Sequence, residues 1–203
     1  MNKLSLYLIA SITLLFSGVC FAQAPHEIAG FVLGKNIEEF KDRLDMSTDL
    51  PVRHRESLRE VEIKKMEGYK SGLITYGTCT KPGQIIRIKL KYTETSKKFY
   101  ETLLKQFKIK FGEPDEWRGD PFHIFLAWKW SFTDKDGNQI SLHLSHNTRD
   151  DEEKIGNAVK LTSRTALEAE WKCHEEKTAS KSAGKKKETP QKGPVDWELF
   201  MPR

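Results

Sequence analysis

Helix-period and strand-period hydrophobic patterns succeed one another along this chain. An apolar run from Leu4 to Val19 comes first, and Phe31-Val32-Leu33-Gly34 is a second, short one. Asn36, with Glu39 three residues on, has capping-box spacing and opens a helix with Phe40 and Leu44 on one face. Leu50 to Glu60, rich in Arg and carrying Pro51, reads as a loop. Val61 and Ile63 then alternate with Glu62 and Lys64, Gly68 to Gly72 make a turn, and Leu73 to Cys79 form a second strand. After the Pro82-Gly83 turn, Ile86, Ile88, Leu90 and Tyr92 alternate with Arg87, Lys89 and Lys91. These strands are expected to form an antiparallel meander.

A second helix is expected from Ser96 to Phe111, with Phe99, Leu103 and Phe107 on its apolar face and Gly112 and Pro114 ending it. Ile124, Leu126, Trp128, Trp130 and Phe132 share one side of a strand, and Ile140, Leu142 and Leu144 return along it after the Asp134 to Asn138 turn. Both Trp128 and Trp130 are therefore expected to point inward. Asp150 to Glu153 reads as an acidic loop, Ala158 to Ser163 as a sixth strand and Thr165 to Glu176 as a third helix. The expected fold class is α+β: an antiparallel sheet of about six strands with two or three helices packed on one face, in the order α-βββ-α-βββ-α. That order admits two related halves, although no internal sequence repeat is visible.

The first apolar run has a positive start, Met1-Asn2-Lys3, and small residues at its exit, which is the form of a secretory signal peptide. Cleavage is expected after Ala22, with Ala24 as the alternative site and acylation of Cys20 as a further one. Val19 stands where a lipoprotein signal wants a small residue. Export, to the periplasm or beyond the cell, leaves Cys79 and Cys173 in an oxidising compartment, and a disulfide between them is the expected outcome. The segments are then 1–22 signal peptide, 23–176 single domain, 177–194 disordered Lys-rich linker and 195–203 apolar terminal segment.

Charge changes this picture less than the formal net of +5 suggests. Six lysines and one glutamate lie between Lys177 and Lys192; without them and the signal, 27 basic residues face 28 acidic ones. The basic balance is assigned to the tail, and nucleic acid is not expected as a partner. Thr178 to Pro194 holds no large apolar residue, whereas Val195 to Met201 is abruptly apolar and aromatic. Trp197, Leu199, Phe200 and Met201 are the partner-binding candidates, for a protein or envelope component or, more weakly, a membrane surface; the alternative is that they fold back on their own domain.

Catalytic and metal motifs are scarce. Aligning Gly137 to the glycine of a calcium loop puts Phe132 and His143 where acidic ligands are required, so Asp134 to Asn138 reads as a hairpin turn. His143 and His146 are three apart on a strand and point to opposite faces, and His123 has no partner at ligand spacing. No catalytic, cofactor-binding or metal residue is assigned, and no cofactor is expected. Cys79 as a thiol nucleophile, or carboxylates acting with a histidine, would make a small secreted hydrolase or thiol enzyme. That is the alternative to a non-catalytic binding or envelope-associated domain.

Gly30-Phe31-Val32-Leu33-Gly34 leading into a capped helix, and the Phe107 to Pro114 helix end ahead of a Trp-rich hairpin, resemble segments of small exported bacterial α+β proteins. In outline the element order is similar to β-lactamase-inhibitor-like and outer-membrane-assembly lipoprotein domains. The resemblance implies a binding or assembly domain rather than an enzyme, and it carries no functional residue.

Overall fold

The computed structural model describes residues 23–147 and 156–182, and only the backbone of Lys181 and Ser182. The signal segment, the acidic Asp150 to Glu153 run and the terminal candidates Trp197, Leu199, Phe200 and Met201 lie outside the described residues.

A two-stranded ribbon, β1 (Glu27–Ile28) and β2 (Phe31–Val32), precedes a short 3-10 helix, α1 (Ile37–Arg43). Four strands follow: β3 (Leu44–Val52), β4 (Arg55–Ile63), β5 (Tyr69–Gly77) and β6 (Ile85–Tyr92). Helix α2 (Lys97–Phe111) leads into β7 (Glu116–Trp117), β8 (Phe125–Thr133), β9 (Gln139–Asn147) and β10 (Asn157–Ser163), and α3 (Arg164–Ser182) closes the described chain. The main sheet is eight-stranded, antiparallel throughout, in the order β3-β4-β5-β6-β10-β9-β8-β7. Two four-stranded meanders thus meet through their last strands, β6 and β10, each preceded by a helix. The α+β class stands, with eight strands in the main sheet rather than about six.

The additional strand β3, together with β4 beginning at Arg55, corrects the loop expected between Leu50 and Glu60, of which only residues 53–54 are a turn. Pro51 pairs opposite Arg59 at the sheet edge, where a missing N–H costs no ladder bond. Register shifts after Asp45 and Pro51 break the alternation that would have marked the strand. Arg59 Nε reaches both carboxylate oxygens of Asp49 at 3.0 and 3.1 Å, and the Tyr76 hydroxyl donates to the same group at 2.8 Å. β7 was missed for a different reason: two residues offer no period to read.

The expected caps form. Asn36 accepts from the Glu38 amide while Glu39 accepts from the Asn36 amide, and the helix they start is 3-10. Ser96 accepts from the Phe99 amide, and Gly112, at φ 81°, ends α2 in a conformation open to glycine.

One sheet face carries the main core. Val61, Ile74, Ile88, Leu90, Trp130, Leu142 and Leu144 are fully or almost fully buried there, beneath α2 and the amino-terminal segment holding Phe31, Ile37 and Phe40. Trp130 is 1% exposed, and its Nε1 donates to the Gly112 carbonyl at 2.8 Å. Trp128 lies on the same face but nearer the rim, half-buried, with its ring edge-on to Trp117. Both rings point inward as expected, Trp130 fully buried and Trp128 packed against the core from its rim.

The helices are not all on that face. Tyr76 faces the core, so its neighbour Gly77 faces away. A Cβ on Gly77 would stand 2.5 Å from Glu170 Oε1, which puts α3 on the opposite side. Leu58 and Ile86 are buried apart from the main core. α3 also continues to Ser182, six residues past Glu176, so the first part of the expected linker is helix. Its start is secured by Ser163 Oγ accepting from the Ala166 amide, and Thr178 bonds back to the His174 carbonyl.

Candidate functional site

Beyond α3, the second face of the sheet is uncovered by any described helix and forms a hollow of about 460 Å³. Strand alternation builds it. Arg87 and Lys89 of β6, Lys160 of β10, His143 of β9 and Lys129 of β8 all project to the side away from the core. Arg118, after β7, and Arg164, at the start of α3, complete the ring. Ala127, Ala158, Ser141 and Ser145 are the short residues between these long ones, so the centre is recessed.

The registers place basic side chains directly opposite one another, and one pair, Lys89 and Lys160, is of like charge. Lys160 pairs with Lys89 on one side and with His143 on the other, and His143 pairs with Lys129. Only at the far edge does the row meet an acid, where Glu116 stands opposite Lys129 and bonds to its Nζ at 3.2 Å. Six Lys and Arg side chains line the hollow and no carboxylate does. Glu60 approaches Arg87 from outside at 4.0 Å, and Arg118 pairs with Glu116 at 2.9 Å. Among the described residues, Lys89, Lys160 and Arg164 have no carboxylate within ion-pair distance. Arg87 Nε is buried without a hydrogen-bond partner.

Burial and mutual repulsion act on these groups together. Lys160 is pushed below the usual lysine range by burial and then by Arg87, Lys89, Arg164 and Arg118. Burial lowers Lys89 and Arg87 as well. His143 is brought down to about 4 by burial, with Lys160 and Lys129 the nearest repelling charges, so it is a neutral imidazole at pH 7.

The residues singled out from sequence fall elsewhere. Cys79 and Cys173 are joined by a disulfide, which removes Cys79 as a thiol nucleophile. Asp134 closes the β8–β9 turn by accepting from the Asp136 and Asn138 amides. His143 and His146 do point to opposite faces. His146 is 2% exposed on the core side, its Nδ1 2.7 Å from Asn157 Oδ1 and its ring stacked on Tyr100. His123 packs beside Trp117. Among the described residues no three His, Cys, Asp or Glu side chains converge as a metal site.

The basic face is invisible to net charge, which sums over the whole domain. A near-neutral domain can still gather several cations on one sheet face while its acids lie elsewhere. The alternating Arg87, Lys89 and Lys91 were the available signal; that Lys160, His143 and Lys129 stand beside them depends on the register of three strands that are distant in sequence. No protein-family model, curated protein or solved structure matched this chain in comparison.

Proposed function

We propose that this chain is an exported, non-catalytic domain that binds a component of the cell envelope or its surroundings, and that the uncovered sheet face is its recognition surface. The observation that carries the reading is the cross-strand row Lys89, Lys160, His143 and Lys129. Like charges set directly opposite weaken a sheet, and this row forms no internal ion pair until Glu116 at its end. The apolar run of the first nineteen residues supports export, and the Cys79–Cys173 disulfide accords with an oxidising compartment. A binding role is also what the resemblance in element order to exported inhibitor-like and assembly domains implies. Neither described cysteine is a free thiol, since both are in the disulfide, and the nearest carboxylates, Glu60 and Glu116, are engaged with arginine or lysine.

Site-specific photo-cross-linking in cells that export the chain tests this. A photoreactive residue at Ser145, inside the hollow, is expected to acquire an adduct detectable by intact mass, and one at Ile109, 79% exposed on α2, is not. Adducts from position 109 alone, or equally from both, would place recognition elsewhere, as would capture only through the terminal Trp197 to Met201 segment.

A further inference from the structure

The chemistry of the hollow narrows its ligand, on the assumption that the uncovered face is the recognition surface. We infer that the row Lys89, Lys160, His143 and Lys129, flanked by Arg87, Arg118 and Arg164, is a binding site for a soluble small molecule carrying two or more phosphate groups.

Three features lead there. The first is charge density: six cations line 460 Å³, and Glu60 and Glu116 reach three of them, Arg87, Arg118 and Lys129, from outside, which leaves Lys89, Lys160 and Arg164 without a carboxylate at ion-pair distance. Carboxylates bring one negative charge each, whereas a phosphate monoester brings between about 1.5 and 2 with three acceptor oxygens. Phosphate-type groups match that density within a hollow of small-molecule size.

Extent is the second. The row runs across β6, β10, β9 and β8, three interstrand steps of about 4.8 Å each, or roughly 14 Å at the backbone. One phosphate engages neighbours across a single step, so cations on β6, β10 and β8, with the neutral His143 of β9 as a hydrogen-bonding group between them, call for at least two groups. The guanidinium of Arg87 has its Nε buried and without a hydrogen-bond partner, and Arg matches an oxyanion with paired N–H donors.

The third is the absence of a greasy rim. The exposed large apolar residues among the described ones are Met46, Leu50, Ile109, Phe122 and Trp171, and none lines the hollow; Phe125, the one large apolar residue in its lining, is half-buried. A surface that settles on lipid needs such residues around its cations; this one suits a ligand taken from solution.

Isothermal titration of the full mature chain with sodium pyrophosphate and with sodium tripolyphosphate, at physiological ionic strength, is the test. Both are expected to bind, tripolyphosphate more tightly. The pair Lys89→Gln and Lys160→Gln is expected to weaken binding roughly tenfold or more, the loss of charge-assisted hydrogen bonds, while leaving the melting temperature unchanged or raised because two repelling charges are gone. Lys185, Lys186 and Lys187→Ser, in the tail, is the control and should bind as the parent does.

Equal affinity in parent and K89Q/K160Q chains, or loss of binding in the tail variant alone, would overturn the assignment. So would binding to phosphatidylglycerol vesicles or a polyglutamate peptide that neither oligophosphate displaces. If the oligophosphates fail to bind while position 145 still cross-links in cells, the ligand class falls and the recognition face stands. If position 145 is also silent, both fall.

Discussion

Cys79 and Glu170 meet across 91 residues of sequence: the Cys79 amide donates to Glu170 Oε2 at 2.8 Å. The same carboxylate accepts from the amides of Thr78, Thr80 and Lys81, and Cys173, one turn further along α3, is bonded to the Cys79 sulfur. Four consecutive N–H groups of the β5–β6 turn make a concave anion site, and the chain fills it with its own acid. Glu170 is 2% exposed, so little water competes for those donors.

This double attachment predicts non-additive mutations. Glu170→Ala should cost about 3 kcal/mol, since four hydrogen bonds to a charged group are lost together. Cys79→Ser with Cys173→Ser opens a loop spanning 94 residues and should cost about 4 to 5 kcal/mol on the chain-entropy model. Combined, the substitutions should cost less than the sum, because α3 undocks once and the rest of the sheet survives it. Urea unfolding of the three variants measures the coupling; strict additivity would mean that the two attachments secure different elements.

Trp130 and Trp128 should separate sharply. Trp130 fills the core against Phe107 and hydrogen-bonds Gly112, so Trp130→Ala should remove about 3 to 5 kcal/mol. Trp128 is half-buried at the rim beside Trp117, and its truncation should cost well under that. Equal losses in chemical denaturation would contradict the packing described.

Asn157 joins three elements. It is fully buried, its Nδ2 donates to the carbonyls of Glu94 and Ser96 at 2.8 and 3.0 Å, and its Oδ1 takes the Nδ1–H of His146. Asn157→Ala should lower stability by about 3 kcal/mol through stranded partners and speed amide exchange in the first turn of α2. Exchange left unchanged there would show that Ser96 alone sets the start of that helix.

Acid should weaken the fold through His143. Its folded value of about 4 lies below the ordinary 6.5, so between those values the unfolded chain binds more protons than the folded one. The stability that a neutral His143 allows is fully present above pH 6.5, falls as pH drops through the window, and levels off below about 4. Urea midpoints at pH 7 and pH 4.5 should differ more for the parent than for His143→Asn, a comparison that cancels the carboxylates common to both. Identical differences would remove His143 from the acid response.

Much of the architecture was legible in local chemistry. Asn36, Ser96 and Gly112 marked helix ends because caps are short-range hydrogen bonds, and the Ile86 to Tyr92 alternation marked β6 because one of its faces meets the core. Where a local signal was absent, reading failed: β3 is an edge strand with Pro51 and two register shifts, β7 has two residues, and α3 runs into a lysine-rich stretch that composition alone assigned to a linker.

Sequence by itself determined which residues would alternate, where helices would begin, and that Cys79 and Cys173 were available to each other. Only the tertiary structure decided what stands beside what. Glu170 looked like one acid among several on a polar helix until the β5–β6 turn brought four amides to it. Lys89, Lys129, His143 and Lys160 were scattered surface residues until antiparallel register set them in one row. The physical reason is that caps and periods act over a few residues of chain, whereas charge acts through space, and its neighbours are fixed only when strands far apart in sequence pair.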